Sequence, residues 1–308
     1  MSKGLKPVKP TEKAWEKIKI IAMKEFSDDI TSKRLWILLA VLILFFIGGI
    51  SITPSSVTVN GKEVHLPKLT QIFSGGIQPL TYIVPLIGLA IGYDAISRER
   101  ETGTLRILLS RPIYRDYVIN GKVLSAIATL GTTLFTSVFL TVSIAIVIAG
   151  VPFSIDDFVR IFLFSIFTII FALGYYSIAL LFSTLFSKSS HSLAVNIVIW
   201  IFFSLIMPMI AGFIAFSKVG FTPGENPMEW SKKLSEEISK IAPYTLGLTL
   251  NYHYELLAGS ILLKSIEQEA LDILKVFGQT IGSLIIIILV PVMLIILAHM
   301  MFTRREEK

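Results

Sequence analysis

A group of charged residues lies in residues 94–122, between two apolar segments. It includes four alternating charges, which are Arg98, Glu99, Arg100 and Glu101. Gly103 then interrupts the run, and the residues after it predict a short helix with leucines on one face. This pattern pairs no nucleophile with a base and gathers no metal ligands. Its predicted role is therefore to bind another molecule and not to catalyse a reaction.

The predicted short helix has a polar cap, an apolar stripe and a proline beyond its end. Thr104 is placed to cap the first turn, and Pro112 follows the last turn. The stripe consists of Leu105, Leu108 and Leu109. An apolar stripe must be removed from water to be stable, and the sequence offers no soluble domain to cover it. The pattern predicts that a separate soluble protein docks here, with a charged turn on lipid headgroups as the alternative.

Several classes of enzyme are excluded by what the sequence lacks. It contains no cysteines, so it has no thiol nucleophile and no cysteine-ligated metal. The phosphate-binding pattern G-x-x-x-x-G-K-[ST] is absent, as are H-E-x-x-H and G-x-S-x-G. The four histidines are widely spaced, which makes a metal site unexpected. We therefore expect no cofactor, no metal and no catalytic residue in this chain.

The composition predicts a protein that is largely embedded in a lipid bilayer. Hydrophobic residues make up 53% of the chain and charged residues 16%, with a mean hydropathy of +0.73. Soluble domains carry about 25% charged residues. A helix needs about 20 mostly apolar residues to cross the hydrocarbon. The stretches that qualify are Leu35–Ile52, Leu80–Ile96, Val123–Ala149, Phe158–Phe186, Leu193–Phe216 and Ile281–Phe302.

The positions of lysine and arginine predict the side of the membrane on which each loop lies. Both residues are frequent before Leu35, between Arg98 and Lys122, and after the last span, whereas two short loops on the other side carry only Lys62 and Lys68. Since positive residues are enriched in cytoplasmic loops, both termini are predicted to be cytoplasmic, in a protein of the cell (plasma) membrane. The net charge of +6 then reflects topology and contact with anionic lipid, and no nucleic-acid partner is expected.

Two short segments before the second span have predicted structure. Residues 11–32 predict an amphipathic helix at the cytoplasmic interface. Its apolar face consists of Trp15, Ile18, Ala22 and Phe26. This helix either anchors the chain on the bilayer or also contacts a cytoplasmic partner. Further on, Asn60-Gly61 within residues 53–78 predicts a small β-hairpin.

Residues 217–280 predict a helical insertion on the outer side, before the last span. Asn226 is placed to cap its first helix, and Pro243 is expected to end that helix. Asn251 and His253 are expected at the surface or in capping positions, with contact to a substrate as the alternative. Three tyrosines fit an interfacial aromatic belt. They are Tyr244, Tyr252 and Tyr254.

The motif in residues 94–122 resembles the signature of ABC-2-type transporter permeases. The similar positions are Glu99, Glu101, Gly103-Thr104-Leu105, Leu108-Leu109-Ser110, Pro112-Ile113, Arg115 and Gly121-Lys122. The layout is also similar, since that family has an amphipathic helix before six spans, cytoplasmic termini and an outer helical insertion before the last span. The insertion is longer here than in the simplest members, which leaves the substrate open.

The resemblance implies that this segment contains a coupling helix, which lies in a groove of a separate ABC ATPase subunit. The residues implied in coupling are Glu99, Glu101, Gly103, Thr104, Leu105, Leu108, Leu109, Pro112 and Arg115. ATP and Mg²⁺ would bind to the ATPase, and a second permease copy would complete the transporter. The expected function is that of an ATP-driven exporter's permease subunit; the alternatives are a secondary carrier and a non-transporting scaffold that recruits a cytoplasmic partner.

Polar residues inside the predicted spans are the candidates for a transport path. Thr129, Thr133 and Thr136 recur at helical spacing in the third span, where they either line a path or bond to their own helix. Asn196 is expected either to face the path or to bond to a neighbouring helix. Apart from Asp94 at one edge, the spans contain no Asp or Glu, which argues against a proton-coupled carrier.

The predicted fold is thus an all-α polytopic membrane protein with six transmembrane helices. Its parts are residues 1–34, the cytoplasmic amphipathic N-terminal helix; residues 35–216, spans 1–5 with the coupling helix between spans 2 and 3 in the loop 94–122; residues 217–280, the extracellular helical insertion; and residues 281–308, span 6 with a cytoplasmic tail.

Overall fold

The computed structural model describes residues 10–52, 57–59, 62–64, 69–110, 113–149, 154–220, 226–262 and 273–304. Most of these residues are helical. The elements are α1 (Pro10–Ile30), α2 (Lys33–Ile52), β1 (Val57–Val59), β2 (Lys62–Val64), α3 (Leu69–Gly92), α4 (Ser97–Glu101), α5 (Thr104–Leu109), α6 (Arg115–Ala149), α7 (Ile155–Leu185), α8 (Ser189–Ile201), a π-helical segment (Phe202–Ile206), α9 (Met207–Val219), α10 (Pro227–Thr245), α11 (Leu250–Leu262) and α12 (Ile273–Arg304).

The two strands form the predicted hairpin. They pair antiparallel, with Val57 opposite Val64 and Val59 opposite Lys62. The Asn60-Gly61 pair, from which the hairpin was predicted, itself lies outside the described residues.

Five stretches of the described helices are long and apolar enough to cross a membrane. They are Gly76–Glu101, Arg115–Val147, Ile155–Leu185, Ser189–Val219 and Thr280–Arg304. These five coincide with the second to sixth predicted spans. The first predicted span coincides with α2 but is not among them, so a sixth span stays a prediction.

The centre of the bundle is the contact between α3 and α7. Gly88 and Gly92, one helical turn apart on α3, face α7 without a side chain. A Cβ at Gly88 would overlap the backbone of Ala172 and lie 2.9 Å from Tyr176 N, and one at Gly92 would lie 2.7 Å from Ala179 Cβ. Small residues at this spacing allow two helices in a membrane to approach closely.

α1 packs mainly along α6 and defines one end of the bundle, called the α1 end below. Gly121 on α6 makes this approach possible, because a Cβ there would lie 2.7 Å from Ile21 Cγ2 and 3.2 Å from Ile18 O. Of the predicted apolar face, Ala22 is buried, whereas Trp15 is 57% exposed. The amphipathic helix therefore exists and lies partly on its own chain.

α10 packs on α9, whereas α11 lies within the bundle. The Asn226 side chain caps α10 by accepting a hydrogen bond from Met228 N at 3.0 Å, as predicted. The helix continues through Pro243 to Thr245, so the predicted end at Pro243 is wrong. A proline this close to the end removes only one backbone bond, which the final turn tolerates.

α11 lies against α3, α7 and α12 instead of covering the outside of the bundle. Asn251 and His253 are each only 5% exposed, and Tyr254 is fully buried. The predictions of surface or capping positions for Asn251 and His253, and of an aromatic belt for Tyr254, are therefore wrong. The sequence pattern marks these residues as polar, but it does not show that neighbouring helices supply their hydrogen-bond partners.

Candidate functional site

The candidate site lies at the α1 end, where α4 and α5 connect α3 to α6. Gly103 separates the two short helices and has a φ of +75°, a conformation that favours glycine. Thr104 is the first residue of α5, and its hydroxyl lies 3.3 Å from the carbonyl oxygen of Glu99, to which it donates. The prediction that Thr104 caps α5 is therefore wrong, because Gly103 occupies the position before the helix.

Lys122 joins three elements through two ion pairs. Its Nζ lies 2.9 Å from Glu25 Oε2 on α1 and 2.8 Å from Glu99 Oε1 on α4. Only 3% of the Lys122 side chain is exposed, and about a fifth of each glutamate side chain is exposed. Because buried charges persist only when they are paired, these contacts fix α1 and α4 against the first turns of α6. The motif residues Glu99 and Lys122 are thus direct partners.

A second group of charges joins the start of α2 to the end of α3. Arg34 Nη1 donates to Asp94 Oδ2 at 2.9 Å, and its other terminal nitrogen lies 3.9 Å from Asp29 on α1. The exposed Arg98 also approaches Asp94, with its Nη1 3.8 Å from Asp94 Oδ2. We call the residues Glu25, Asp29, Arg34, Asp94, Glu99 and Lys122 the junction.

The two junction acids on α1, Glu25 and Asp29, differ in their electrostatic environment. Burial alone would raise the pKa of the Glu25 carboxyl, but the ammonium groups of Lys122 and Lys24 outweigh burial and hold that pKa below its usual range. Burial raises the pKa of Asp29 from 3.8 to about 6, with the attraction of Arg34 opposing this rise and the nearby carboxylates of Glu25 and Asp94 adding to it. Asp29 is thus the less well compensated acid of the junction.

Glu101 and Arg100 attach α4 to the turn between α7 and α8. Glu101 Oε2 accepts a hydrogen bond from Ser189 N at 3.0 Å, at the first residue of α8. A carboxylate at a helix N-terminus satisfies an otherwise unpaired N–H and complements the helix dipole. Arg100 Nη1 donates to the carbonyl oxygens of Thr184 at 3.1 Å and Phe186 at 2.8 Å.

Arg115 attaches the start of α6 to the end of α12. Its Nη1 donates to the carbonyl oxygen of Phe302 at 3.0 Å, and its guanidinium lies 5.8 Å from the centroid of the Phe302 ring. The charged motif residues therefore have a shared role that sequence analysis did not predict. They connect α4 to α6 and α8, and the start of α6 to the end of α12.

The exposed face of α5 is not the predicted leucine stripe. Leu105 is 1% exposed and packs into the core, and Leu108 is half-buried against the same core. The prediction that this chain cannot cover the stripe is thus wrong for Leu105. Ile107, between them in sequence, is 64% exposed. The Leu109 side chain and the whole of Pro112 lie outside the described residues.

A cleft of about 1520 Å³ separates α1 and the start of α2 from α4 and α5. Junction residues line it together with Thr104, Ile107 and Leu108. Ser125, which is 2% exposed, also lines the cleft, and its Oγ has no hydrogen-bond partner among the described residues. The cleft lies beside the exposed Ile107, so a protein that covers Ile107 would also reach the cleft.

The candidate path residues do not share one surface. Thr129 and Thr133 are buried, whereas Thr136 is exposed. Thr133 donates to the carbonyl oxygen of Thr129 on its own helix at 2.7 Å, and Thr129 lies 3.4 Å from Asp29 of the junction. The buried Asn196 donates to Ser192 O at 2.8 Å within α8, so the predicted bond to a neighbouring helix is not formed among the described residues. A role in transport stays a prediction for these four residues.

Sequence analysis missed the contribution of α1 and α2 to the site. Glu25 and Asp29 lie on the packed side of α1, close to the position of Ala22 in the helical repeat. Two acids on the buried face of a helix require a cation nearby. That signal could have predicted a partner such as Lys122 or Arg34, although not which of them.

Three matches relate the sequence of this chain to known proteins. The family described as ABC-2 family transporter protein matches residues 19–306. A probable ABC transporter permease protein NosY of Stutzerimonas stutzeri is 33% identical over 102 residues, which are 33% of this chain and 36% of that relative. The protein of the same name in Pseudomonas aeruginosa is 34% identical over 115 residues, or 36% of this chain and 40% of the relative. The matched segments thus cover less than half the length of these relatives.

Proposed function

Because the chain belongs to the ABC-2 family of transporter proteins, we propose that it is the membrane subunit of a transporter driven by a separate ABC ATPase. Family membership makes it a multi-pass permease subunit, which is not itself the catalyst. The proposal adds that the ATPase binds ATP and Mg²⁺, that a second permease copy completes the complex, and that transport runs outward. Outward transport is proposed because the resemblance is to a family made up mostly of exporters.

The proposed orientation puts the α1 end in the cytoplasm. Lysine and arginine are concentrated in α1, at the start of α2, in α4 and in the first turns of α6, which are all at this end. The ATPase would then meet α4 and α5 from the cytoplasm.

The proposal rests on α5, which has one exposed face and one face packed against the rest of the chain. Ile107 is 64% exposed at the surface, while Leu105 on the other side of the same helix is fully packed. An exposed isoleucine beside a cleft suits a protein partner that removes it from water. A force applied to this short helix would be passed to its neighbours, since Leu105 is packed in the core.

The proposed mechanism uses the contacts of α4 and its flanks. Closure of two ATPase subunits on ATP would move α5, and Gly103 links α5 to α4. From α4 the movement would reach α6 and α1 through Glu99 and Lys122, and α8 through Glu101. Packed elements with discrete contacts transmit displacements in this way. The spans α6, α7 and α8 would then rearrange to open a path.

The test is an exchange of Ile107 for aspartate, with an apolar-to-aspartate control at the opposite end. The chain is co-expressed with the ABC ATPase encoded beside it, purified, and assayed for assembly and ATP hydrolysis. We expect Ile107→Asp to lower the affinity for the ATPase by at least about tenfold, as for a buried hot-spot residue. Met228→Asp changes a residue that is 81% exposed on α10 and should leave assembly unchanged.

The outcomes separate the proposed function from its alternatives. Assembly that is unaffected by Ile107→Asp contradicts the docking surface. Assembly without stimulated ATP hydrolysis favours a scaffold, and a chain that ignores the ATPase but responds to an ion gradient favours a secondary carrier. Leu105→Asp should instead lower the yield of folded protein, because that side chain is buried within this chain.

A further inference from the structure

Glu255 is an acidic residue on the side of α11 that the rest of the chain leaves uncovered. The neighbouring Asn251, Tyr254 and Ala258 are buried against the bundle, whereas Glu255 is exposed. The Thr81 hydroxyl on α3 is within hydrogen-bonding reach of the Glu255 carboxylate. The acid therefore lies at the edge of the contact between α11 and α3, on a surface that is open in this chain.

The contacts of α11 with α7 place Glu255 close to the middle of the membrane. The hydroxyl of Tyr254, the preceding residue, lies 3.1 Å from Thr168 Oγ1. Thr168 follows the first residue of α7 by 13 residues and precedes the last by 17, or roughly 20 and 25 Å at 1.5 Å per residue. Since the hydrocarbon is about 30 Å thick, this level of the bundle lies inside it. Sequence analysis did not count Glu255 as an acid inside the membrane, because it lies between the predicted fifth and sixth spans.

The ion pairs among the described residues leave Glu255 without a cation. By contrast, Arg160, a buried cation near the start of α7, lies 2.7 Å from Asp156 and also donates to Ile261 O at 2.7 Å. A charged side chain at membrane depth faces a water-filled cavity or a charged partner, and not acyl chains. The uncovered side of α11 is therefore a polar surface whose ligand lies outside the described residues.

The residues around Glu255 favour an organic cation over a metal ion. Tyr252 lies three residues earlier on the same side of α11, and its side chain is only half-buried. Gln78, one helical turn before Thr81 on α3, is exposed and uncharged. A carboxylate beside an aromatic ring suits an ammonium group, which is attracted to both. Mg²⁺ and Ca²⁺ need several oxygen ligands, and the described residues contain no group of three metal-binding side chains.

We propose that Glu255 binds a positively charged nitrogen of the transported substrate, with the ring of Tyr252 beside it. The substrate then belongs to the organic ammonium compounds, either soluble amines or lipids with an ammonium headgroup. This inference rests on the proposed function and names the class of substrate, because only a transporter opens this surface to a cargo. The residues Gln78, Thr81, Tyr252 and Glu255 are called the ammonium site below.

The test uses the absence of cysteines in the chain. Gln78→Cys places one thiol at the ammonium site and leaves Glu255 unchanged. The complex with the ATPase is reconstituted in phosphatidylglycerol nanodiscs and treated with a methanethiosulfonate that carries either a trimethylammonium or a sulfonate group. We expect the ratio of the two labelling rates, cationic over anionic, to fall about tenfold in Glu255→Gln, because a fixed charge in a confined site concentrates ions of the opposite sign.

Two further substitutions separate the charge of Glu255 from its shape. Glu255→Asp keeps the carboxylate and should keep most of the preference for the cationic reagent. Glu236→Gln removes an exposed acid of α10 and should leave the ratio unchanged. A ratio that is equal with Glu255 and with Glu255→Gln would overturn the inference. So would a thiol at position 78 that reacts with neither reagent, with or without ATP, since the surface would then be closed to water.

Competition identifies the source of the ammonium group. Benzyltrimethylammonium in solution represents a soluble amine, and phosphatidylcholine in the nanodisc represents a lipid headgroup. The compound that resembles the substrate should slow labelling by the cationic reagent when Glu255 is present, but not in Glu255→Gln. Benzenesulfonate is the anionic control and should not compete. A lack of competition by both ammonium compounds would overturn the inference.

The same complex separates this inference from the proposed function. If the ATPase assembles and hydrolyses ATP but the labelling ratio does not depend on Glu255, the ammonium site is refuted and the proposed function stands. If the ratio depends on Glu255 in the chain alone but no ATPase binds, the ammonium site is supported and the proposed function is refuted.

Discussion

Lys122 shows how one side chain fixes the arrangement of the candidate site. We predict that Lys122→Met lowers the thermal stability of the purified protein. The change leaves Glu25 and Glu99 buried without their shared cation, and breaking a buried pair in this way costs roughly 3–5 kcal/mol. The measurement is the loss of the monodisperse peak in size-exclusion chromatography after heating.

Lys24→Met is the matched control for this prediction. Lys24 also contacts Glu25, at 2.8 Å, but 61% of its side chain is exposed. An exposed pair contributes roughly 0–1 kcal/mol, so its loss should hardly change the melting temperature. Equal effects of the two lysine substitutions would show that burial of Lys122 does not matter.

Asp29 gives the junction a dependence on pH. Its folded pKa of about 6 lies above the usual 3.8, so between these values the folded protein holds a proton that the unfolded chain releases. Stability therefore falls as pH rises through this window, and the cost is complete above about pH 6. We predict that Asp29→Asn raises the melting temperature more at pH 7.5 than at pH 4.5.

The size of the Asp29 effect has an upper limit. A pKa shift from 3.8 to about 6 corresponds to on the order of 3 kcal/mol in the free energy of unfolding. Asp29→Asn also loses the attraction between Asp29 and Arg34, and this loss reduces the stability that the substitution gains. Asp28→Asn, one residue earlier and 64% exposed, is the control and should show no such difference between the two pH values. A gain for Asp29→Asn that is equal at both pH values would exclude titration of Asp29 as the cause.

The identity of the motif residues could be predicted from the sequence, but their contacts could not. Glu99, Glu101 and Arg115 stand out by their types and spacing between two apolar stretches. Their partners are Lys122, Ser189 N and Phe302 O, which lie up to 187 residues away in the chain. A single sequence carries no information about such pairings, because local periodicity describes only one element at a time.

The helix α5 illustrates why the direction of an apolar stripe is hard to predict. Leu105 and Leu108 were expected to face a partner because no other domain is present to cover them. In the structure Leu105 is buried in the core of this chain, Leu108 is half-buried against that core, and Ile107 remains at the surface. Periodicity predicts that one face is apolar, whereas the covering surface depends on how the neighbouring helices meet.

The close contact of α3 with α7 leads to a prediction about glycine. Gly88→Ala should destabilise the bundle by roughly 1–3 kcal/mol or more, since a methyl group would overlap the backbone of Ala172 and force the two helices apart. Gly131 on α6 is the control, because a Cβ there meets nothing within 4 Å. Gly131→Ala should be neutral or slightly stabilising. Thermal unfolding of both variants in the same detergent checks the prediction, and similar losses would contradict it.

The bundle as a whole bears on whether α2 also crosses the membrane. α1 lies at the same end as α4, since Lys122 contacts Glu25 and Glu99 together. Arg34 at the start of α2 bonds to Asp94 just beyond α3, so these two points lie at that end as well. The β1–β2 hairpin leads into the opposite end of α3. We therefore expect α2 to run from one end of the bundle to the other.

The dimensions of α2 agree with this path. α2 has 20 residues, or roughly 30 Å at 1.5 Å per residue, which matches the thickness of the hydrocarbon. We therefore predict that single cysteines at Met23 on α1 and Ile107 on α5 react with an impermeant maleimide only after the membrane is opened. A cysteine at Thr58 in β1 should react in intact cells. The cysteine-free sequence makes each reaction specific. If Thr58 and Met23 instead report the same side, α2 does not cross, and the protein has five spans with its termini on opposite sides.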